Sequence, residues 1–302
     1  EYGICQIDEK KCIQCGACIH SCPFGAIGSK TFLVDVINLI KAGKDVVAMV
    51  APATEGQFGK DITMASLKTA LKKAGFADMV EVGLGGDMTA AYEAEEWAEA
   101  YKEGKKMTTS CCPAWVKFVC DQYPEFKDNL STCRSPQGMF SAVIKEYYKN
   151  PERSQNKKTF VVSIMPCTAK KMEILRSNNF THGEQDTDIV LTTTEIIRMI
   201  NNSGIDFASQ ETEACDMPFG FGSGAGAIFG VTGGVTEAML RRLADDHNKA
   251  TMDAIAEAGA RGDEGIKEFT VNYKGTDLNV CVASGLANAQ TVMEDVKSGR
   301  KH

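Results

Sequence analysis

The segment TFVVSIMPCTAKKME, residues 159–173, determines the fold class of this 302-residue chain. Its first seven residues are mostly apolar and β-branched, which predicts a strand buried on both faces. Pro166 and Cys167 follow, and the rest of the segment is typical of a helix. A strand that leads through a cysteine loop into a helix is the repeating unit of an α/β domain.

The same alternation of strand and helix continues on both sides of this segment. The predicted strands are 46–51, 79–82, 188–191 and 279–283, and the predicted helices are 62–74, 88–103 and 287–297. Thr192 and Glu195 have the spacing of a capping box, which predicts one more helix directly after the strand at 188–191. We therefore expect an α/β fold with mostly parallel sheets covered by helices.

Two domains are expected. Residues 1–30 are a short cysteine-rich unit, whereas the α/β pattern occupies residues 31–302. The chain is 43% hydrophobic and 24% charged, so it can bury a real core and is not a disordered polypeptide.

The charge balance excludes some classes of partner. The chain has 33 Lys and Arg against 40 Asp and Glu, a formal net charge of −7. Surfaces that bind nucleic acid need clustered basic residues, so we expect no nucleic-acid partner. The longest uncharged run, residues 217–236, is rich in Gly, Ser and Thr, and predicts a close-packed loop rather than a membrane span. No signal-peptide pattern is visible.

Twelve cysteines are the most informative feature of the composition. Four of them crowd into residues 12–22 and two are adjacent at Cys111 and Cys112, whereas disulfide frameworks belong to small secreted proteins. Such clusters favour metal ligation by thiolates in a reducing compartment, hence a cytoplasmic location. The four histidines show no metal-ligand spacing.

The densest cluster is Cys12-x2-Cys15-x2-Cys18-x3-Cys22-Pro23, the cysteine run of bacterial ferredoxins. Three closely spaced thiolates wrap one 4Fe–4S cube, the fourth commonly reaches a neighbouring cluster, and Gly16 allows the tight turn. A zinc knuckle, the alternative, needs pairs of cysteines separated by a longer loop. Only one such run is present, and Cys5 is interpreted as a plain buried thiol.

A second cysteine loop is Thr109-Ser-Cys111-Cys112-Pro113-Ala-Trp115. It follows an expected strand at 106–110, and Pro113 favours a helix start. Both this loop and the Cys167 loop are therefore expected at carboxyl ends of strands, where open α/β sheets bind ligands. Adjacent cysteines cannot easily both bind one metal, so one is expected as a ligand and the other as a chemical group. Taken alone, either loop could be a chance buried thiol.

Residues 109–115 and 165–173 resemble two signatures of the iron-only (FeFe) hydrogenases. Residues 12–23 resemble the ferredoxin-like 4Fe–4S segment that precedes their catalytic domain. Shorter matching blocks are 50–52, 135–137, 222–230 and 232–238. The resemblance covers essentially the whole chain. It implies a hydrogenase catalytic region, an oxidoreductase of the hydrogen:ferredoxin type that reversibly reduces protons to H₂ with electrons delivered through 4Fe–4S clusters.

The resemblance also implies a cofactor, the H-cluster, which is a 4Fe–4S cube joined to a diiron site with CO, cyanide and azadithiolate. Cys112 and Cys167 would bind the cube, while Cys12, Cys15, Cys18 and Cys22 would serve the N-terminal cluster. Cys111 would donate and accept protons, and Lys170 would hydrogen-bond a cyanide unless it is a solvated helix charge. The residues implied as the wall of the pocket are Pro52, Ala53, Gln137, Met165 and Phe229.

A buried diiron site needs a proton route, and the resemblance implies one on the helix before Cys111. Glu93 and Glu96 are three residues apart and share a helix face. Together with Ser131 they give the order Cys111, Glu93, Ser131, Glu96, solvent. Glu95 could replace Glu96, and the alternative for the whole set is an ordinary solvated acidic helix face.

The chain also departs from the family pattern. The third signature, which supplies two more cysteines, is absent before the chain ends at residues 298–302, and the chain begins at Glu1. We therefore expect a segment shortened at its N-terminus, a catalytic domain without its C-terminus, and a chain inactive by itself. Cys133 and Thr236 stand where many relatives have other residues. Cysteines outside the signatures are interpreted as small core residues or incidental thiols: Cys120, Cys133, Cys215 and Cys281.

The alternative function is non-catalytic. Hydrogenase-like proteins of iron–sulfur assembly and sensory homologues keep cubane cysteines but tend to lose residues around the diiron site. Here Cys111, Met165 and Lys170 are all present, which favours catalysis. The expected partners are ferredoxin or another low-potential electron carrier, protons and H₂, and other hydrogenase subunits.

Overall fold

The computed structural model describes residues 6–154, 157–214, 222–244 and 246–299, so Cys5 and Cys215 lie outside the described residues. The helices are α1 (Ala17–Ser21), α2 (Leu33–Lys41), α3 (Met64–Lys73), α4 (Gly83–Lys102), α5 (Pro113–Gln122), α6 (Pro136–Tyr148), α7 (Pro151–Ser154), α8 (Lys170–Glu173), α9 (Thr193–Asn202), α10 (Gly224–Ile228), α11 (Gly234–Leu243), α12 (Lys249–Glu257) and α13 (Leu286–Lys297). The strands are β1 (Asp45–Val50), β2 (Asp78–Glu81), β3 (Thr159–Met165), β4 (Phe180–Thr181), β5 (Glu184–Gln185), β6 (Ile189–Thr192), β7 (Ile266–Tyr273) and β8 (Thr276–Ala283). Short 3₁₀ helices cover Pro52–Thr54, Pro124–Asn129 and Ser177–Asn179.

The central sheet has four parallel strands in the order β2-β1-β3-β6. The strand predicted at 159–165 is β3, and those predicted at 46–51, 79–82 and 188–191 are β1, β2 and β6, each within one residue. Thr192 and Glu195 cap α9 reciprocally, as the sequence predicts. The α/β fold with a parallel sheet flanked by helices is thus confirmed.

Both faces of this sheet are buried, which explains why its strands are continuous apolar runs. Helices α2, α3 and α9 pack on one face, against Val46, Ala48 and Val50 of β1. Helix α6 packs on the other face, against Val47 and Met49. Successive side chains of a strand point to opposite faces, so a strand covered on both sides shows no polar alternation.

Helix α4 begins five residues before its predicted start because glycines at its first turn allow close packing against α6 and α10. A Cβ on Gly85 would overlap the carbonyl oxygen of Pro136, and one on Gly226 would overlap that of Gly83. Glycine is a poor helix former, and here tertiary packing overrides that propensity.

Neither α4 nor any other helix in the described ranges is long and apolar enough to cross a membrane.

The prediction of a strand over residues 106–110 is wrong, because the structure has only one bridged residue there. Only Thr108 pairs, in an isolated parallel bridge with Leu130. The amide of Thr108 donates to the carbonyl of Asn129 (2.8 Å), and the amide of Ser131 donates to that of Thr108 (2.8 Å). The Cys111 loop therefore follows an extended segment outside the sheet. Of the two cysteine loops, only that of Cys167 ends a sheet strand.

The strand predicted at 279–283 belongs to a two-stranded antiparallel hairpin, β7–β8, which is separate from the parallel sheet. Lys274 (φ 49°) and Gly275 (φ 79°) form its two-residue turn. Two consecutive positive φ values are what a tight hairpin turn requires. The sequence pattern identified β8 as a strand, but its partner is the preceding strand and not the main sheet.

The N-terminal cysteine-rich segment is hydrogen-bonded to residues that follow the two other cysteine loops. The Thr168 hydroxyl donates to the carbonyl of Gln14 (2.9 Å), and the Lys171 ammonium donates to that of Lys30 (2.7 Å). Lys117, on the helix that follows Cys112, donates to the carbonyl of Lys10 (2.9 Å). These bonds bring the three cysteine clusters of the sequence to one side of the molecule.

Candidate active site

The Cys167 loop begins where β3 ends. Met165 is the last strand residue and is packed in the core, while Pro166 lacks the amide that would continue the ladder. Cys167 is half-buried, and the chain turns at once into the short helix α8. This geometry presents Cys167 and Lys170 at the carboxyl edge of the sheet.

Lys170 joins the two cysteine loops. Its ammonium donates to the carbonyl of Cys111 (2.9 Å) and to a carboxylate oxygen of Glu173 (2.8 Å). The Lys170 side chain is only 13% exposed, so it is not a solvated helix charge. A largely buried ammonium needs an anionic partner, and Glu173 supplies it.

Gln137 fixes Glu173 from the other side. Its amide nitrogen donates to the same carboxylate oxygen (2.9 Å), and its amide oxygen accepts from the Ser163 hydroxyl (2.8 Å). Gln137 and Glu173 are both buried. A continuous hydrogen-bonded chain thus runs from the sheet to Lys170 and holds its ammonium in one orientation.

Glu93 lies on α4 with its side chain fully buried. Its Oε1 accepts from the Ser110 amide (3.3 Å), and its Oε2 is buried without a hydrogen-bond partner. Burial raises the pKa of Glu93 to about 7, with a smaller push from Glu96, against the nearby Ser131 hydroxyl and the Ser110 amide. This carboxyl can therefore take or release a proton near neutral pH.

Glu96, one turn further along α4, has the opposite environment. It accepts from the Ser131 hydroxyl (2.6 Å), the Thr132 amide (2.8 Å) and the Cys133 thiol (3.6 Å). Burial pushes the pKa of Glu96 up, but these bonds outweigh it and the pKa is lowered. The single Ser131 proton is given to Glu96, so it leaves Glu93 unsatisfied. Glu95 is exposed, and Ser131 contacts Glu96 instead.

Burial and neighbouring charges raise the pKa values of Cys111 and Cys167, the thiols near Lys170. Burial, with a contribution from Glu93, raises the pKa of Cys111 to about 12, while Lys170 opposes the shift. Burial also raises the pKa of Cys167, and Cys112 adds to that rise. Cys111 therefore remains a protonated thiol at neutral pH in the metal-free chain.

The cysteines of the N-terminal segment are exposed or half-buried, and backbone amides point at the sulfur atoms of two of them, Cys12 and Cys22. Gly16 takes a left-handed conformation (φ 79°), and the Gln14 amide donates to the Cys12 sulfur (3.4 Å). Backbone amides of Ala26 and Phe24 lower the pKa of Cys22. Amides that point at sulfur favour the thiolate, which is the form that binds iron.

Cys15 and Cys18 are exposed on this segment. Over the described parts of the chain, no three Cys, His, Asp or Glu side chains converge on a point that would hold a single metal ion. A cubane differs from a single ion because its four thiolates bind separate irons. The thiols of residues 12–22 are of the type that binds iron–sulfur clusters.

The expected wall residues Pro52, Ala53 and Phe229 lie close together. A Cβ on Gly230 would stand 2.8 Å from the Ala53 amide, and one on Gly86 would stand 3.1 Å from the Phe229 ring. The structure thus brings them to the first turns of α4, about two turns before Glu93.

The fold and the three cysteine clusters agree with one family. The sequence model described as iron only hydrogenase large subunit, C-terminal domain, matches residues 44–302. The chain belongs to the iron-only hydrogenase large-subunit family. A 4Fe–4S binding domain matches residues 5–28, which agrees with the ferredoxin-like run of cysteines.

Relatives named as hydrogenases match almost all of this chain. The periplasmic Fe hydrogenase large subunit of Nitratidesulfovibrio vulgaris is 38% identical over 98% of this chain and 80% of its own length. The NADP-reducing hydrogenase subunit HndD of Solidesulfovibrio fructosivorans is 35% identical over 95% of this chain and 52% of its own length. Thus this chain spans about half of one curated relative and four fifths of the other.

A solved structure of the iron-only hydrogenase family has the same fold. A variant of FeFe-hydrogenase HydA1 from Chlamydomonas reinhardtii superposes with a TM-score of 0.72 at 26% identity, covering 90% of this chain and 80% of that one. A more distant relative, Protein NAR1 of Arabidopsis thaliana, is 25% identical over 97% of this chain and 68% of its own length. Others at similar identity are named as cytosolic iron–sulfur assembly components. The relatives of this chain thus include both hydrogenases and iron–sulfur assembly proteins, and family membership alone does not distinguish between the two functions.

Two of the residues that this iron-only hydrogenase fold brings to its site were not singled out from the sequence. Glu173 is the carboxylate partner of Lys170, and the signal was its position three residues later on the same helix. Cys133 was interpreted as a core or incidental thiol, but its sulfur contacts Glu96. Nothing in the spacing of Cys133 indicated that contact, because it joins a loop to a helix 37 residues away.

Proposed function

We propose that this chain belongs to the catalytic region of an iron-only hydrogenase, a protein that reversibly reduces protons to H₂. The observation that carries the proposal is the buried, partnerless carboxyl oxygen of Glu93 beside the Cys111 loop. A carboxyl with a pKa of about 7 in such a place costs folding free energy. An iron–sulfur scaffold has no use for such a group, whereas a proton-handling enzyme does.

Cys112 and Cys167 are proposed as the thiolates that this chain gives to the cube of the H-cluster. The electrostatic effect of Cys112 on Cys167 and the largely buried Lys170 ammonium fit an anionic, thiolate-bound group. When bound, the H-cluster would supply the redox chemistry that forms and splits H₂. Binding of that group, its orientation and proton transfer would belong to the side chains of the polypeptide.

Lys170 is proposed to donate a hydrogen bond to an anionic ligand of that group. Its ammonium is held by Glu173 and, through it, by Gln137, so its direction is set before any cofactor binds. Pro52, Ala53, Met165 and Phe229 are proposed to close the pocket with apolar surface. Excluding water there would keep proton transfer on a fixed route.

Protons are proposed to travel in the order Cys111, Glu93, Ser131, Glu96, solvent. Ser131 would link the two carboxyls: its hydroxyl donates to Glu96, and its oxygen could accept the proton of a protonated Glu93 nearby. When Ser131 gives a proton to Glu96 it accepts one from Glu93, so the hydroxyl is unchanged after each transfer. Cys111 begins the route as a protonated thiol.

The N-terminal segment is proposed as the site through which electrons arrive. Cys12, Cys15 and Cys18 would hold a 4Fe–4S cluster there, with Cys22 as a further thiolate of the same run. The exposure of Cys15 and Cys18 would leave the cluster near a partner. We propose ferredoxin or another low-potential carrier as that partner, alongside other hydrogenase subunits. A reducing, cytoplasmic location suits the free thiols.

The test is infrared spectroscopy and H₂ turnover of the full-length protein, matured anaerobically with the hydrogenase assembly machinery. We expect CO and cyanide bands together with turnover. Cys111→Ala and Glu93→Gln should keep the bands and lower turnover by orders of magnitude, while Glu95→Gln, on the exposed face of the same helix, should change neither. Cubane signals without CO or cyanide bands would instead identify an iron–sulfur scaffold of the assembly-factor type.

A further inference from the structure

Cys133 lies beside the outer carboxylate of the proposed proton route. Its thiol donates to Oε2 of Glu96 at 3.6 Å, and its amide donates to the Ser131 hydroxyl oxygen at 3.1 Å. Residues 131, 132 and 133 thus each donate to Glu96, two by side chain and one by backbone. Three consecutive residues wrap this one carboxylate.

The two carboxyls of α4 therefore differ sharply in hydrogen-bond donors. Glu96 receives three donors, whereas Glu93 receives one amide at 3.3 Å and keeps a buried oxygen without a partner. Donors stabilise the ionised form of a carboxyl, and burial without donors favours the neutral form. When the pair holds one proton, that proton rests on Glu93.

We propose that Cys133 is a positioning residue for proton transfer, whose thiol helps to keep Glu96 ionised and so keeps the resting proton on the inner carboxyl, Glu93. This inference rests on the proposed function and adds a residue to it. Cys133 does not itself carry the proton. It acts through the charge state and orientation of Glu96.

A thiol suits this role because it is a weak donor that retains its own proton. Burial raises the pKa of Cys133 to about 11, and the charges of Glu96 and Glu93 add to the rise. The thiol therefore stays protonated over the neutral range and does not compete with the carboxyls as a base. A weak S–H donor also leaves Glu96 able to accept a proton, which a stronger donor would oppose.

The experiment measures the titration of Glu96 in the matured protein by infrared spectroscopy. The Glu96 carboxyl band is isolated by subtracting the spectrum of Glu96→Gln, first in the wild-type background and then in Cys133→Ala. We expect Cys133→Ala to raise the midpoint by about half a pH unit, roughly a threefold change in proton affinity. Cys133→Ser, whose hydroxyl is a stronger donor than the thiol, should bring the midpoint back to the wild-type value or below it. The pH profile of turnover should shift in the same direction as the Glu96 midpoint in each variant.

Cys120→Ala is the matched control, because Cys120 is an exposed cysteine on α5. It should leave both the titration and the pH profile unchanged. The thiol stretching band that disappears in Cys133→Ala should also move when Glu96 becomes Gln. A Glu96 midpoint that is the same in wild type and Cys133→Ala would overturn the proposal.

The two proposals fail separately. Absence of CO and cyanide bands in the matured full-length wild type would refute the hydrogenase function. The Glu96 titration needs no turnover, so it still decides whether Cys133 sets the charge state of Glu96.

Discussion

Replacing Glu93 by Gln tests the electrostatics of the site through stability alone. The substitution keeps the shape of the side chain and removes its charge, and the Gln oxygen can still accept from the Ser110 amide. Folding raises the pKa of Glu93 from 4.5 to about 7. A raised carboxyl pKa means that the folded state binds the proton more tightly. Glu93 therefore lowers the free energy of unfolding, by an amount that grows as pH rises from 4.5 to about 7 and is constant above that.

The size of the effect follows from those two pKa values. At about pH 5 the wild-type carboxyl costs about 0.8 kcal/mol of unfolding free energy, and at about pH 8 it costs about 3.3 kcal/mol. Glu93→Gln removes this cost. Its stability relative to wild type should therefore improve by about 2.5 kcal/mol between the two pH values. Any packing loss caused by Gln is independent of pH and cancels in that difference.

The assay is urea unfolding of the anaerobically prepared protein at both pH values, with equal iron content in all samples. Glu95→Gln is the control, since Glu95 is exposed on the same helix, and it should change stability by less than about 0.5 kcal/mol at either pH. If the difference between Glu93→Gln and wild type is the same at both pH values, Glu93 is not a carboxyl with a raised pKa and the reasoning is refuted.

Three further predictions concern the metal segment, its docking and the helix that carries the glutamates. Cys15→Ala should remove about four irons per chain while the distal site keeps its infrared bands, measured by iron analysis and spectroscopy; unchanged iron would contradict a cluster there. Thr168→Val should remove the hydrogen bond to the Gln14 carbonyl, worth about 1 kcal/mol, and speed amide exchange in residues 6–30, while Thr168→Ser should keep both the bond and the exchange rate; equal exchange in the two variants would count against docking through this hydroxyl. Gly85→Ala should lower the free energy of unfolding by more than about 2 kcal/mol, because its Cβ would overlap the Pro136 carbonyl; a change below about 0.5 kcal/mol in chemical denaturation would show that α4 and α6 can separate.

Much of the fold could be predicted from periodicity. The apolar runs that became β1, β2, β3 and β6 are long enough and pure enough to be strands buried on both faces, and they were placed within one residue. The pattern at 106–110 predicts a strand that the structure lacks, because β propensity does not say whether a neighbouring strand is available for pairing. The partner of β8 was likewise beyond the sequence pattern.

The candidate site divides in the same way. Cysteine spacing and short signatures identified the family and indicated which thiols are proposed as ligands, since metal ligation restricts which residues can stand at which intervals. Glu93 and Glu96 could be assigned to one helix face by their spacing. Their opposite environments could not, because both are glutamates in the same acidic stretch and differ only in what the rest of the chain places around them.

The sequence by itself determined the parallel α/β core, the cysteine clusters and the family, because these are written in local spacing and in runs of like residues. Only the tertiary structure decided that Lys170 bridges two loops, that Glu93 is buried without a partner for one oxygen, and that residues 131–133 surround Glu96. Each of these facts joins groups at least 17 residues apart in the chain. Burial and hydrogen bonding set the charge state of a carboxyl, and both depend on contacts that form only when the chain has folded.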